Sequence, residues 1–150
     1  KQHPNIRVIF FGQGPLRGEL QRSVDASGLR DIVQLPGFRK DMPDWLAHLD
    51  ILVHPALMEG LGISLLQASA AGVPIVASRA GGMPEAVRDG ETGVLIEPGD
   101  VDALRAALLR LLDEPDLRQR LGRAGKDLIE DEFSVARMVE GNLRVYRQFV

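Results

Sequence analysis

Short runs of β-branched and aromatic residues alternate with segments of helical period from the start of the chain to about residue 99. Residues 6–11 read as a strand that stops at Gly12-Gln13-Gly14-Pro15. Pro15 suits the first turn of a helix, in which Leu16, Leu20 and Val24 recur every four residues until Gly28 stops the pattern. A second strand at 32–35 ends at Pro36-Gly37. A short helix at 41–49 turns Trp45 and Leu46 inward, and a third strand at 50–54 closes at Pro55. The next helix, about 62–71, stops at Gly72, and Val73-Pro74 prevents its continuation. Residues 74–77 form a fourth strand, 84–88 a helical turn and 93–96 a fifth strand. These strands are apolar throughout, as expected when both faces of a parallel sheet are covered. The alternation predicts a doubly wound α/β domain whose five strands lie in a parallel, Rossmann-like sheet flanked by helices.

After Gly99 the period is helical only. Asp100 is the expected N-cap of a helix with Leu104, Leu108, Leu111 and Leu112 on one stripe, ended by Pro115. Leu117, Leu121, Ala124 and Leu128 mark a second helix. Ser134 caps a third, with Met138, Tyr146 and Phe149 expected on its inner side.

Composition narrows the chemistry. The chain has 150 residues, 45% hydrophobic and 26% charged, which suits one globular domain. Lys plus Arg is 18 against 21 for Asp plus Glu, a net charge of −3 that argues against nucleic acid as partner. There is no Cys, so disulfides, thiolate metal sites and cysteine nucleophiles are excluded. The longest uncharged stretch, 61–78, holds Gln67, three Ser, two Gly and Pro74, and is a poor membrane span. No basic segment with an apolar run opens the chain, so no signal peptide is expected. Residue 1 is Lys, and the numbering is expected to begin inside a longer protein.

Ligands of open α/β sheets bind at the carboxyl ends of the strands, near helix N-termini. The loop after the first strand, Gly12-x-Gly14-Pro15, is half of a dinucleotide fingerprint, but Gly18 comes one position late. No acidic residue directly follows the second strand, which argues against a nicotinamide site. The loop after the third strand is more informative. Glu59 precedes Gly60, Leu61 and Gly62, whose backbone N–H groups open a helix carrying Gln67. Eight residues separate Glu59 from Gln67, roughly 12 Å along a helix axis. That is about the reach from a ribose across a diphosphate to a sugar. After the fourth strand, Gly81-Gly82-Met83-Pro84-Glu85 again exposes backbone amides near the same end of the sheet. His3, His48 and His54 are not at metal-ligand spacing, so no metal is expected, and His48 and His54 are expected to be core or cleft-lining.

These motifs, in order, carry a resemblance. Pro55-x-x-x-Glu59-Gly60-x-Gly62, Gln67-Ala68, residues 71–77, Gly81-Gly82-Met83-Pro84-Glu85 and Asp89-Gly90-x-x-Gly93 resemble the retaining GT-B glycosyltransferases of family 4 (glycosyl transferases group 1). The Gly12-Gln13-Gly14-Pro15 and Leu35-Pro36-Gly37-Phe38 loops resemble that family too, and the resemblance covers essentially the whole chain. It implies the C-terminal, donor-binding half of a GT-B fold, facing an acceptor domain across a cleft. The implied reaction transfers a sugar, hexosyltransferase-type, from a nucleotide diphosphate donor, UDP- or GDP-sugar, to a glycan, lipid or other acceptor. No metal or other cofactor is implied. Carried over residue by residue, Glu59 would meet the donor sugar as the catalytic residue. The amides of Gly60, Leu61 and Gly62 would hold the sugar and distal phosphate, and position 67 the ribose. Gly37 and Phe38 would face the base, with Gly12, Gly14, Gly81 and Gly82 completing the donor site. A cytoplasmic location, with peripheral association of the full-length enzyme at the inner face of the membrane, is compatible with such a role.

Two departures stand out. The family's second carboxylate is Gln67 here, and an amide accepts with one end and donates with the other. Nothing in residues 1–4 matches the Arg and Lys by which the family clamps the diphosphate. The expectation is therefore a donor domain, residues 1–150, lacking its first strand and helix and without its acceptor domain. Alone it is expected to be inactive. A non-catalytic nucleotide-binding or interaction module of the same fold, or a GT-B-like sugar-nucleotide epimerase, is the alternative.

Overall fold

The computed structural model describes residues 3–149. The chain divides into two compact units, Lys1–Met42 and Pro43–Val150. The expected single five-stranded sheet is corrected: ladder hydrogen bonds run in a two-stranded and a three-stranded sheet, and every strand pairing is parallel.

In the first unit β1 (Val8–Phe11) and β2 (Val33–Gly37) pair, joined through helix α1 (Arg17–Ala26). Val8 lies opposite Val33 and Ile9 opposite Gln34, but Phe11 lies opposite Gly37. Strand β2 thus gains one residue where Pro36 stands, so a residue without an N–H is absorbed at an irregularity instead of ending the strand as expected. The freed carbonyl of Leu35 accepts from Arg17 Nη2 at 2.9 Å. Gly28, at φ +65°, ends α1 in a Schellman turn: its N–H donates to Asp25 and that of Leu29 donates to Val24. Leu16 corrects the expected stripe. It sits at the N-cap, outside the helix, and is exposed, while Val24 is buried.

Helix α2 (Met42–Leu46) crosses the boundary between units and buries Leu46. It is shorter than expected, and His48 beyond it is exposed, so it is not a core residue. The second unit holds β3 (Leu52–His54), β4 (Ile75–Ser78) and β5 (Gly93–Ile96), with β4 central. Helices α3 (Ile63–Ala70) and α4 (Met83–Ala86) connect them. Three longer helices follow: α5 (Val101–Asp113), α6 (Pro115–Glu132) and α7 (Val135–Tyr146). Burial on both faces holds for β4, wholly enclosed, and for most of β5. In contrast, Val53 of β3 and Phe10 of β1 are exposed. Val76 and Ile96 pack with Ala107, Leu111, Leu117 and Leu121 from α5 and α6 in one cluster.

Gly72, at φ +74°, ends α3 in the same Schellman geometry as Gly28. Its carbonyl lies so close to α6 that a Cβ at Gly122 would stand 2.0 Å from it. Gly122 and Gly125 are therefore the small residues that let α3 and α6 approach. Asp100 caps α5 as expected, accepting from Ala103 N–H at 2.8 Å. Asp100→Ala is expected to lower stability by about 1 kcal/mol, read as a shifted denaturation midpoint with unchanged slope. Ser134 caps α7, accepting from Arg137 N–H, but the expected inner face of that helix is corrected. Met138, Tyr146 and Phe149 are all exposed, and α7 buries no residue. Among the described residues no helix is long and apolar enough to cross a membrane.

Candidate functional site

The candidate chemistry of the second unit converges at the carboxyl ends of β3 and β4. Their parallel register, Leu52 opposite Ile75 and His54 opposite Ala77, places the loops that follow them at the same end of the sheet. The loop after β3 carries Glu59, and the loop after β4 carries Gly81 and Gly82. Their main chains touch: Gly82 N–H donates to the Gly60 carbonyl at 2.7 Å. A Cβ on Gly81 would lie 1.8 Å from the Glu59 carbonyl oxygen, and one on Gly82 would lie 2.6 Å from that of Gly60. Only glycine permits this approach, and Gly81 also has φ +54°.

The Glu59 carboxylate is held at both oxygens. Oε1 accepts from Gly60 N–H at 2.9 Å, and Oε2 lies 3.1 Å from His54 Nε2. The other ring nitrogen of His54, Nδ1, lies 3.3 Å from Ser64 Oγ. His54 is the last residue of β3 and Ser64 the second of α3, so strand end, loop and helix start are tied by one chain of polar contacts. Both His54 and Glu59 are partly exposed, at 24% and 34% of their side chains, so the carboxylate still faces solvent.

Helix α3 starts at Gly62, which is buried at φ +80° and supplies no side-chain cap. Asp100 and Ser134 cap their own helices. The first N–H groups of α3 have no intrahelical acceptor, and the helix dipole favours an anion there. Gln67 is exposed one turn beyond Ser64 on the same face of α3. The nearby cation, Arg79, is committed to Asp89 at 3.0 Å and Glu97 at 3.5 Å. Among the described residues at this edge, the first backbone amides of α3 are the donors suited to an anion. Two amides expected to be open at this edge are spent otherwise: Gly60 N–H bonds the carboxylate of Glu59, and Gly82 N–H bonds the Gly60 carbonyl.

In the first unit Gly12 N–H donates to the Gly37 carbonyl at 3.0 Å, at the carboxyl ends of β1 and β2. Both glycines have positive φ and open space where a Cβ would stand, and Gly14 has the open space alone. Phe38 follows, exposed. The structure thus brings Gly12, Gly37 and Phe38 together in one unit and Glu59, Gly60, Gly62, Gly81 and Gly82 in the other. Two open depressions, one beside Asp25, Arg30 and Pro36 and one along α6, contain none of these residues. Sequence reading missed the contacts of His54 and Ser64. The available signal was a histidine ending a strand at the carboxyl edge, five residues before the acidic one. Among the described residues no three His, Asp or Glu side chains converge as metal ligands would.

Residues 1–128 match the family model described as glycosyl transferases group 1. The chain is 30% identical over 146 residues to an alpha-D-kanosaminyltransferase of Streptomyces kanamyceticus, covering 96% of this chain and 38% of that protein. It is 37% identical over 132 residues to a GDP-mannose-dependent alpha-(1-6)-phosphatidylinositol monomannoside mannosyltransferase of Mycolicibacterium smegmatis, covering 82% of this chain and 35% of that protein. The chain therefore spans little more than a third of these relatives. The crystal structure of the Anabaena protein HepE in complex with UDP superposes with a TM-score of 0.89 at 24% identity, over 97% of this chain and 42% of that one. That likeness concerns the fold: parallel sheets flanked by helices.

Proposed function

The chain belongs to the glycosyl transferases group 1 family, and from that premise we propose that it binds the nucleotide-sugar donor of a retaining GT-B transferase of family 4. The observation that carries this reading is the uncapped start of α3 beside a pinned carboxylate, with glycine-only backbone contact between the two loops. Glu59 is the group for the donor sugar, accepting from its hydroxyls and lying against charge that develops at the anomeric carbon. The amides from Leu61 through Ser64 receive the distal phosphate, so the charge of the leaving diphosphate falls on fixed dipoles without a metal. Gln67 serves the ribose and the Gly37–Phe38 backbone the base, with Gly12 and Gly14 beside it. The nucleoside diphosphate departs from the anomeric carbon and the acceptor hydroxyl attacks it on the same face, its proton passing to the leaving phosphate oxygen, so the configuration is retained. The acceptor is a glycan or lipid, bound by residues outside these 150.

A thermal-shift panel of UDP, GDP, ADP and their sugars on the full-length protein tests this. A true donor at 100 times its dissociation constant adds about 2.7 kcal/mol. No shift with any of them contradicts the reading. Gln67→Glu is expected to tighten nucleoside binding by about fivefold, about 1 kcal/mol, because a carboxylate accepts from both ribose hydroxyls. Calorimetry with nucleoside and with diphosphate separates that gain from repulsion by phosphate. An unchanged affinity for both makes Gln67 a surface amide.

A further inference from the structure

The donor reading gives Glu59 a task but no reason for the two residues behind it. We propose that Ser64 and His54 form a relay that orients the Glu59 carboxylate toward the donor sugar, making His54 a positioning residue of the transfer reaction. The proposal rests on the reading of Glu59 as the sugar contact.

The roles follow from what each group can donate. An ionised carboxylate only accepts, so His54 Nε2, 3.1 Å from Glu59 Oε2, must carry the proton. In the neutral ring Nδ1 is then an acceptor, and Ser64 Oγ at 3.3 Å donates to it. The direction is Ser64 to His54 to Glu59. With Oε1 held by Gly60 N–H and Oε2 by His54, the carboxylate cannot rotate about its last bond without losing a hydrogen bond. Each oxygen keeps a second lone pair for a sugar hydroxyl. Without His54 one oxygen is released, and the carboxylate samples orientations that do not meet the sugar. Ser64 ties this orientation to α3, because its own N–H is among the first-turn amides assigned to the phosphate. Sugar contact and phosphate contact are thereby fixed relative to one another.

The test uses the full-length protein with His54→Ala, His54→Gln, Glu59→Gln and the double variant His54→Ala/Glu59→Gln. Release of UDP from UDP-glucose and of GDP from GDP-mannose is followed, and affinity for UDP and GDP is measured calorimetrically. His54→Ala is expected to lower kcat about tenfold and to leave nucleotide diphosphate affinity within twofold. His54→Gln, which keeps an N–H near the place of Nε2, recovers most of the loss. The double variant is no slower than Glu59→Gln alone, as for two residues acting through one group. Full turnover in His54→Ala beside a slow Glu59→Gln overturns the relay alone. So does a parallel loss of nucleotide affinity, which marks a structural role. Full turnover in Glu59→Gln overturns the reading of Glu59, and the relay with it. Imidazole 15N spectra of the chain at about pH 8, where a free imidazole is neutral, give a readout without donor. His54 is expected as the Nε2–H tautomer, and the Nδ1–H tautomer contradicts the relay.

Discussion

Gly81→Ala is expected to destabilise the second unit by about 2–5 kcal/mol and to abolish donor binding. The added Cβ meets the Glu59 carbonyl oxygen at 1.8 Å, a main-chain atom with no rotamer to escape into. Overpacking of this kind typically costs about 1–3 kcal/mol. A left-handed non-glycine backbone adds roughly 1–2 kcal/mol more. The two effects can be separated with Gly90→Ala, since Gly90 has φ +74° but open space where a Cβ would stand. That control is expected to lose only about 1–2 kcal/mol. Equal losses in both variants, read from denaturant midpoints, would show that the close approach of the two loops contributes nothing.

Glu59→Gln is expected to lower turnover about 10²-fold, about 2.7 kcal/mol of transition-state stabilisation, with nucleotide diphosphate affinity unchanged within twofold. The amide keeps the shape and one acceptor but loses the charge, and charge matters most where positive charge develops on the sugar. It also presents an N–H where His54 Nε2 already donates, which disturbs the tie at Oε2. Steady-state kinetics beside calorimetry decide the matter. A drop in nucleotide affinity matching the drop in turnover would place Glu59 at the phosphates instead of the sugar.

Local chemistry was well encoded in the sequence. Gly28 and Gly72 stop their helices because the Schellman turn needs a left-handed residue there, and Asp100 and Ser134 cap because their oxygens reach the third amide onward. The helix start at Gly62 was legible too, but not the fate of the loop amides expected to be open, since Gly60 N–H bonds the Glu59 carboxylate and Gly82 N–H the Gly60 carbonyl. Properties that depend on what packs against an element were not. The apolar period of α7 identifies a face, yet Met138 and Tyr146 lie exposed on it, and Phe149 lies exposed beyond the helix end, because periodicity says nothing of a partner. The apolar runs of β1 and β3 likewise suggested burial that Phe10 and Val53 do not have. The place of Gly122 in α6 is explained by the proximity of the Gly72 carbonyl, a contact between elements far apart in sequence. The contact of His54 with Glu59 and Ser64 depends on a loop folding back on a strand end. Spacings of five and ten residues have no meaning until that loop has its shape.

The most direct test is a crystal structure of the full-length protein with the nucleotide sugar that stabilises it most. The expected result has the distal phosphate within hydrogen-bond distance, about 3 Å, of the first amides of α3, and a sugar hydroxyl donating to Glu59 while His54 Nε2 still holds Oε2. A donor bound away from the 59–64 segment, or one whose sugar makes no contact with Glu59, would contradict the account.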